Sequence, residues 1–360
     1  MLTLLALLWG CHAPGVQVVD VREIGTLEHS SWIKGRDGGY SAPAFGQDVW
    51  LYGDTILSVE NEDGDTWCNN TASWTADFAA SDGLGGFTDW AGARGVPVEF
   101  IPRTEEEAAF NAAHAGDPCA EEPCGARWAI WPGAMVADEA SARALVFYYL
   151  IYGEPGEWNF WSVGAGIATW GGLEVAPERP EVSPGAEHPT LLFHEGEPGF
   201  GSAALVEGDD LYAFACEGGF AKPCKLGRVA LAEALDRGAW TFWDGAGWSA
   251  EIGEAEALFD AHTMLSVQHI AALDLYIALY NGPMDDRIYV RSAPALTGPW
   301  SASEAVFMAE PSWDGANAYG AMAHPELDRQ DGLFVYLTYF RSPADWEGEI
   351  RLVELELASR

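Results

Sequence analysis

Basic residues are the scarcest feature of this 360-residue chain, in which 18 Lys and Arg stand against 55 Asp and Glu for a formal net charge of −37. No Lys/Arg cluster offsets that field, so the surface repels nucleic acid and anionic headgroups and neither is expected as a partner. Acidic polysaccharides are disfavoured for the same reason, unless a basic pocket or a bound cation intervenes. On its own the charge serves solubility outside the cell. Phosphate-binding glycine loops, serine-hydrolase elbows and HExxH helices are absent. Sustained helical patterns are scarce, and after the N-terminal run no stretch is apolar enough to span a bilayer.

Cysteine is also sparse, with 6 in the chain. Cys11 ends the apolar run MLTLLALLWGC, which resembles a bacterial lipoprotein signal with Cys11 as the lipidated residue. The run lacks a preceding Lys or Arg and is short for a signal, and a start codon further upstream would account for both. Residues 1–11 are therefore read as a lipoprotein-type signal, and 12–360 as one domain, exported and tethered to a membrane only through lipid. Cys119 and Cys124 flank a short acidic loop, and Cys216 and Cys224 flank GGFAKP. Close pairs in an exported chain read as local disulfides, and neither pair has a His at zinc-ligand spacing. Cys68 is either free or exchanges roles with Cys119 or Cys124.

What is abundant is glycine, proline and tryptophan, at 41, 20 and 17 residues, as many short strands joined by tight turns require. Val16 to Leu27 alternates as a strand. Gly35 to Leu57 reads as a glycine-rich strand and a hairpin, NNTASWTADF as a third strand and GGFTDW as a fourth. Thr104 to Ala115 has acidic residues in its first turn and predicts a helix decorating a loop. The pattern then recurs in units beginning at WAIWPGAMV, FGSAALVEGDDLYAFACE, MLSVQHIAALDLYIALYN and AYGAMAHPEL. Each opens with a small-residue strand, continues with an aromatic-rich one and ends with one or two more. Units of this kind predict an all-β, five-bladed β-propeller of four-stranded antiparallel blades, with small inner strands crowding the axis. The strand near Val18 to Val21 would close the ring by joining the last blade. A β-sandwich would not explain the recurring small-residue strands.

The first hairpin carries the chemistry. FGQD predicts a two-residue type II′ loop with Phe45 opposite Asp48. Counting back places Asp54 against Gly39, with Asp37 two residues further along the same face, about 7–8 Å away as diagonal neighbours. Two carboxylates near a channel mouth suit acid/base cleavage of a glycosidic bond, although strand-end Asp residues also cap turns. Gly35, Gly38 and Gly39 leave room for a ligand beside Asp37.

GRDGGYSAP followed by VWLYGDT resembles the opening of the propeller family catalogued as domain of unknown function 4185. NNTASWTADF, GRVALAEALDRGAWTFWDGAGW, LTGPWS, and AHPEL followed by VYLTYFR and IRLVELEL agree with it. Part of that family is classed as glycoside hydrolase family 183, with endo-acting arabinanases, and its architecture is similar to that of families 43 and 32. The resemblance implies a monomeric, exported glycosidase acting on a neutral, arabinan-like polysaccharide, with Asp37 as general base and Asp54 as general acid. A non-catalytic glycan- or protein-binding propeller is the alternative. Glu217, in the blade where family 43 places its acid, is a further candidate acid. Trp131, Tyr280, Asn281, Tyr319, His324 and Arg341 are candidate sugar contacts: aromatic faces suit the apolar face of a sugar ring, polar groups its hydroxyls. A packed histidine is an equal reading for His324. No cofactor or catalytic metal is expected. NEDGDTW, from Asn61 to Trp67, has oxygen ligands around a glycine but lacks the full calcium-loop pattern, so it reads as a solvated loop with a structural Ca²⁺ as the alternative.

Overall fold

The structure, a computed structural model, describes residues 15–156 and 158–360, so Cys11 and the expected signal lie outside the described residues. Five antiparallel sheets form the blades of a propeller. The chain opens with β1 (Val16–Thr26), which belongs to the last blade. Blade one contains β2 (Ile33–Ala44), β3 (Gln47–Leu57), β4 (Trp67–Cys68), β5 (Thr71–Thr75) and β6 (Thr88–Asp89). Helix α1 (Glu105–His114) follows, and then blade two: β7 (Arg127–Asp138), β8 (Arg143–Gly153), β9 (Phe160–Trp170) and β10 (Phe193–His194). Blade three contains β11 (Ala203–Glu207), β12 (Asp210–Cys216), β13 (Pro223–Ala230), β14 (Thr241–Trp243), β15 (Trp248–Ser249) and β16 (Ala257–Asp260). Blade four has β17 (Ser266–Ile270), β18 (Leu275–Asn281), β19 (Arg287–Ala293) and β20 (Glu304–Met308). Blade five joins β21 (Tyr319–Ala323), β22 (Phe334–Arg341) and β23 (Glu349–Ser359) to β1.

Ring closure therefore uses both ends of the domain, with Val16 opposite Ser359 and Thr26 opposite Arg351. The inner strands are poor in bulky residues for a steric reason. A Cβ at Gly133 would stand 2.6 Å from the carbonyl oxygen of Gly201, and one at Gly201 would stand 2.9 Å from Phe147 Cβ. Away from the axis the blades separate, and large rings fill the wedge. Trp170 meets both Phe45 and Phe100 edge-on at 4.9 Å.

Helix α1 forms where its sequence predicts. The Thr104 side chain accepts the Glu107 N–H while the Glu107 carboxylate accepts the Thr104 N–H, a closed capping box. Buried Arg179 then pairs with Glu107 at 2.6 Å and fastens the helix to blade two. Disulfides join Cys119 to Cys124 and Cys216 to Cys224, and Cys68 is a buried free thiol. Burial pushes that thiol up to about 12, so it stays protonated and unreactive.

Candidate active site at the mouth of blade one

The hairpin that carries Asp37 and Asp54 turns one residue earlier than the expected loop. Ala44 pairs with Gln47, so Phe45 and Gly46 form the loop, and both have positive φ, 52° and 77°. That is a type I′ geometry, whose twist matches the flanking strands; the expected II′ turn and its register are corrected. The ladder then slips between Arg36 and Gly38 and again between Gly38 and Tyr40. These bulges bring Asp37 directly over Gly53 and beside Asp54, instead of on a diagonal.

Gly53 is what allows that approach, since a Cβ there would lie 2.5 Å from Asp37 Oδ1. The backbone N–H of Asp54 donates to the Asp37 carboxylate. The Tyr319 hydroxyl, from the first strand of blade five, donates to Asp37 Oδ2 at 2.7 Å. On the opposite side of β2, buried Arg36 lies 3.6 Å over the Tyr52 ring and pairs with Asp89 at 2.9 Å. The strand is thus pinned on both sides of Asp37.

Asp54 has a different set of neighbours. Asn69 Nδ2 donates to its Oδ1 at 3.2 Å. The Trp67 and Trp131 side chains also hydrogen-bond it, and the Arg127 charge lies close enough to act on it. Burial raises both carboxyls, but the outcome differs. Asp37 is pushed up to about 7 by burial and by the neighbouring Asp54 charge, against the hydrogen bonds from Tyr319 and the Asp54 backbone. Asp54 is raised by burial, with Trp67, Asn69, Arg127 and Trp131 all favouring its ionised form. The first proton is therefore held by Asp37, because one site has the cationic and indole support and the other has the repulsion.

Aromatic rings extend from the pair in two directions. Trp67 meets Trp346 of blade five at 6.3 Å, and Trp131 meets Phe160 at 5.1 Å, with Trp158 a further 6.2 Å from Phe160. The outer rings are open to solvent: Trp346 is 59% and Trp158 79% exposed.

Of the expected sugar contacts, Trp131 and Tyr319 reach the aspartates. His324 does not. It is fully buried, its ring 4.3 Å from Trp50, with Nδ1 bonded to Ser41 at 2.6 Å and Nε2 to Thr338 at 2.8 Å. Burial lowers it to about 3, so it is a neutral packing residue closed off from solvent. Tyr280 and Asn281 are also interior. The Tyr280 hydroxyl accepts from Arg291 at 2.8 Å, and Asn281 ties blade four to blade five by accepting the Ala321 N–H at 2.6 Å. Strand alternation turns them into the seams between blades. The Arg341 guanidinium is saturated by Glu349 at 2.6 Å and Glu310 at 2.7 Å.

Glu217 directly follows β12 and accepts the Gly199 N–H at 3.0 Å. Burial raises it, and the charges acting on it are those of Lys222 and Lys225, not those of the aspartate pair. It sits beside Tyr149. In the Asn61 loop the carboxamide oxygen accepts the Asp63 and Asp65 N–H groups at 3.0 and 2.9 Å, which closes a turn on backbone donors. Among the described residues the one cluster of metal-ligand type is Cys119, Glu122 and Cys124, whose two sulfurs are joined in a disulfide. Gly53, Trp67, Asn69 and Arg127 were not picked out from the sequence. Asn69 lies at the start of NNTASWTADF, and its place one strand away from Asp54 was the available signal.

Fold and site together define a five-bladed propeller with a half-buried aspartate pair on its first blade. The chain belongs to the family described as "Domain of unknown function (DUF4185)", which matches residues 27–342. No curated protein matches the sequence. Among solved structures, it is similar to a putative hydrolase from Bacteroides ovatus at 13% identity, with 92% of this chain and 87% of that chain covered and a TM-score of 0.62. A family 43 enzyme from Xanthomonas citri, complexed with xylotriose, aligns at 11% identity over 94% and 90% of the two chains, TM-score 0.50. A family 43 β-xylosidase/α-arabinofuranosidase from a compost metagenome gives 11% identity, 94% and 95% coverage and a TM-score of 0.50. At these identities the likeness establishes the fold.

Proposed function

We infer that this protein is a glycoside hydrolase that cleaves a neutral polysaccharide, arabinan-like in the first instance, with Asp37 and Asp54 as its acid/base pair. One observation carries the reading: two adjacent, solvent-reachable carboxyls whose surroundings push their protonation apart, with aromatic rings on either side. That is the electrostatic requirement for glycosidic cleavage, in which one carboxyl donates a proton while the other is ionised. That a propeller of this fold holds xylotriose in the Xanthomonas citri enzyme supports a sugar chain as the ligand. The disulfides favour an exported protein.

The environments support the reverse of the roles that the resemblance implied. Asp37, protonated near neutrality, donates its proton to the glycosidic oxygen as the bond to the anomeric carbon breaks. Asp54, ionised, takes a proton from the water whose oxygen bonds to that carbon. The sugar hydroxyl leaves with the Asp37 proton, and exchange with solvent restores both carboxyls. Tyr319 orients Asp37, and the two indoles orient Asp54.

The test uses purified protein against linear and branched arabinans, xylan and galactan, with product sizing, and then D37N and D54N. Both variants lose polysaccharide cleavage. D37N alone keeps turnover of an aryl glycoside whose leaving group departs without protonation. Full activity in both variants sinks the mechanism, and retained aryl turnover in D54N alone restores the opposite roles.

A further inference from the structure

Blade two carries a cavity of about 410 Å³ away from the aspartates, lined by Trp128, Tyr152, Trp161, Glu187, His188 and Glu195 among others. Trp128 is opposite Tyr152, and Tyr152 is opposite Trp161, so the three rings form a row across three neighbouring strands. Adjacent ring centroids are 5.0 Å apart in both pairs, and His188 meets Trp128 edge-on at 4.9 Å. Trp161 is 44% exposed, so the outer end of the row faces solvent. Glu187 and Glu195 stand beside the rings, and neither Lys nor Arg lines the cavity.

This chemistry selects among ligands. An anion finds no positive partner and two carboxylates. A quaternary cation needs rings facing one another across a gap, whereas these rings touch at interplanar angles of 61°, 55° and 69° and form a continuous wall. A neutral sugar fits both halves of the cavity: its C–H face lies on the indoles, and its hydroxyls donate to the carboxylates and imidazole. Continuity with the propeller mouth gives the same answer. Phe160 and Trp161 are neighbours on β9 and point to opposite faces, Phe160 toward Trp131 at 5.1 Å and Trp161 into the cavity.

We propose that this cavity is a second, non-catalytic binding site for a neutral polysaccharide, which holds one stretch of chain while another lies at the aspartates. The choice of ligand rests on the glycosidase reading. The test is affinity electrophoresis of D37N, W161A/D37N and E195Q/D37N through gels containing soluble arabinan, xylan or galactan, with thermal melts to verify folding. At least one polysaccharide retards D37N, and W161A weakens that affinity at least about five-fold, as loss of one stacked sugar predicts. In the otherwise native chain, W161A raises KM for the same polymer several-fold and changes turnover of a trisaccharide less than two-fold. Equal affinity with and without Trp161, or equal losses on polymer and trisaccharide, overturns the second site while hydrolysis stands. Trp161-dependent binding by a native chain that cleaves none of the polymers overturns the catalytic reading and leaves this site in place. Failure of D37N to bind any of them overturns the site.

Discussion

Two acidic groups lie a short way apart in blade one and the seam behind it, and they meet opposite fates. At the mouth, Asp37 and Asp54 remain partly open to solvent, with N–H and O–H donors arranged around them. In the seam between blades one and five, Asp48 is fully buried and hydrogen-bonded to Glu326, with Trp50 donating to its Oδ2 at 2.8 Å. Ser41 donates to Glu326 and also contacts His324, while Asp328 accepts from Gln268 at 2.6 Å. Burial and the Glu326 charge push Asp48 up to about 9, and burial pushes Asp328 up to about 8. By shifted protonation alone the seam is the stronger candidate. Asp48 and the Glu326 side chain are, however, 0% and 4% exposed, too closed in for a sugar to reach. Perturbed carboxyls mark a functional site only where a reactant can reach them.

The sharpest way to break this contrast is to neutralise each group. D54N or D37N lowers polysaccharide turnover by about 10²–10⁴-fold, the usual worth of a positioned acid or base, while the melting temperature stays close to that of the native chain. D48N, in the seam, replaces a carboxyl that is already protonated and leaves turnover within about two-fold. Equal losses in the two groups, read from initial rates on one polymer, would erase the distinction.

Gly53→Ala comes next. The backbone of Gly53 is not left-handed, so the added methyl acts chiefly by displacing the Asp37 carboxylate, whose Oδ1 lies 2.5 Å from the new Cβ position. Turnover falls about ten- to a hundred-fold, the cost of a misplaced catalytic group, and thermal stability changes little. His324→Ala should do the converse. It leaves a cavity beside Trp50 and removes partners from Ser41 and Thr338, at a cost of about 2–4 kcal/mol in chemical denaturation, with activity per folded molecule kept.

The smallest effects are in pH dependence. Activity declines as pH rises through about 7, where Asp37 gives up its proton. Stability follows the seam. The raised carboxyls Asp48 and Asp328 contribute fully below their unfolded value near 4, and that contribution is lost as pH rises toward 8 and 9. His324 and His262, lowered to about 3 and about 4, contribute above their unfolded value near 6.5 and lose that contribution as pH falls. Melting temperature therefore drops steadily from pH 6.5 to 9, and D48N shallows that drop. A melting temperature flat across this range would show that the seam carboxyls are ionised in the fold.

Much of the architecture was legible in the residues. Small inner strands, aromatic second strands and an opening strand left over for the last blade were enough for a closed ring, because each has a local steric cause. Helix α1 was legible to its caps, since Thr104 and Glu107 satisfy one another within one turn. That Asp37 and Asp54 meet was also legible, but how they meet was not. Bulges around Gly38 leave no mark in the alternation of residue types, and the turn at Phe45 and Gly46 differs from its alternative by a single step of register.

What the sequence determines by itself is the set of local preferences: charge, strand period, glycine where backbones must touch, and a hairpin bearing two acids. Only the tertiary structure decides which polar side chains face solvent. His324, just past the strand that bears Tyr319, and Asn281, at the end of β18, look as suitable as Tyr319, yet they close into seams when neighbouring blades pack against them. The physical reason is that access and electrostatic environment depend on atoms contributed by several blades. Asp54 draws Trp131 and Arg127 from blade two, and Asp37 draws Tyr319 from blade five.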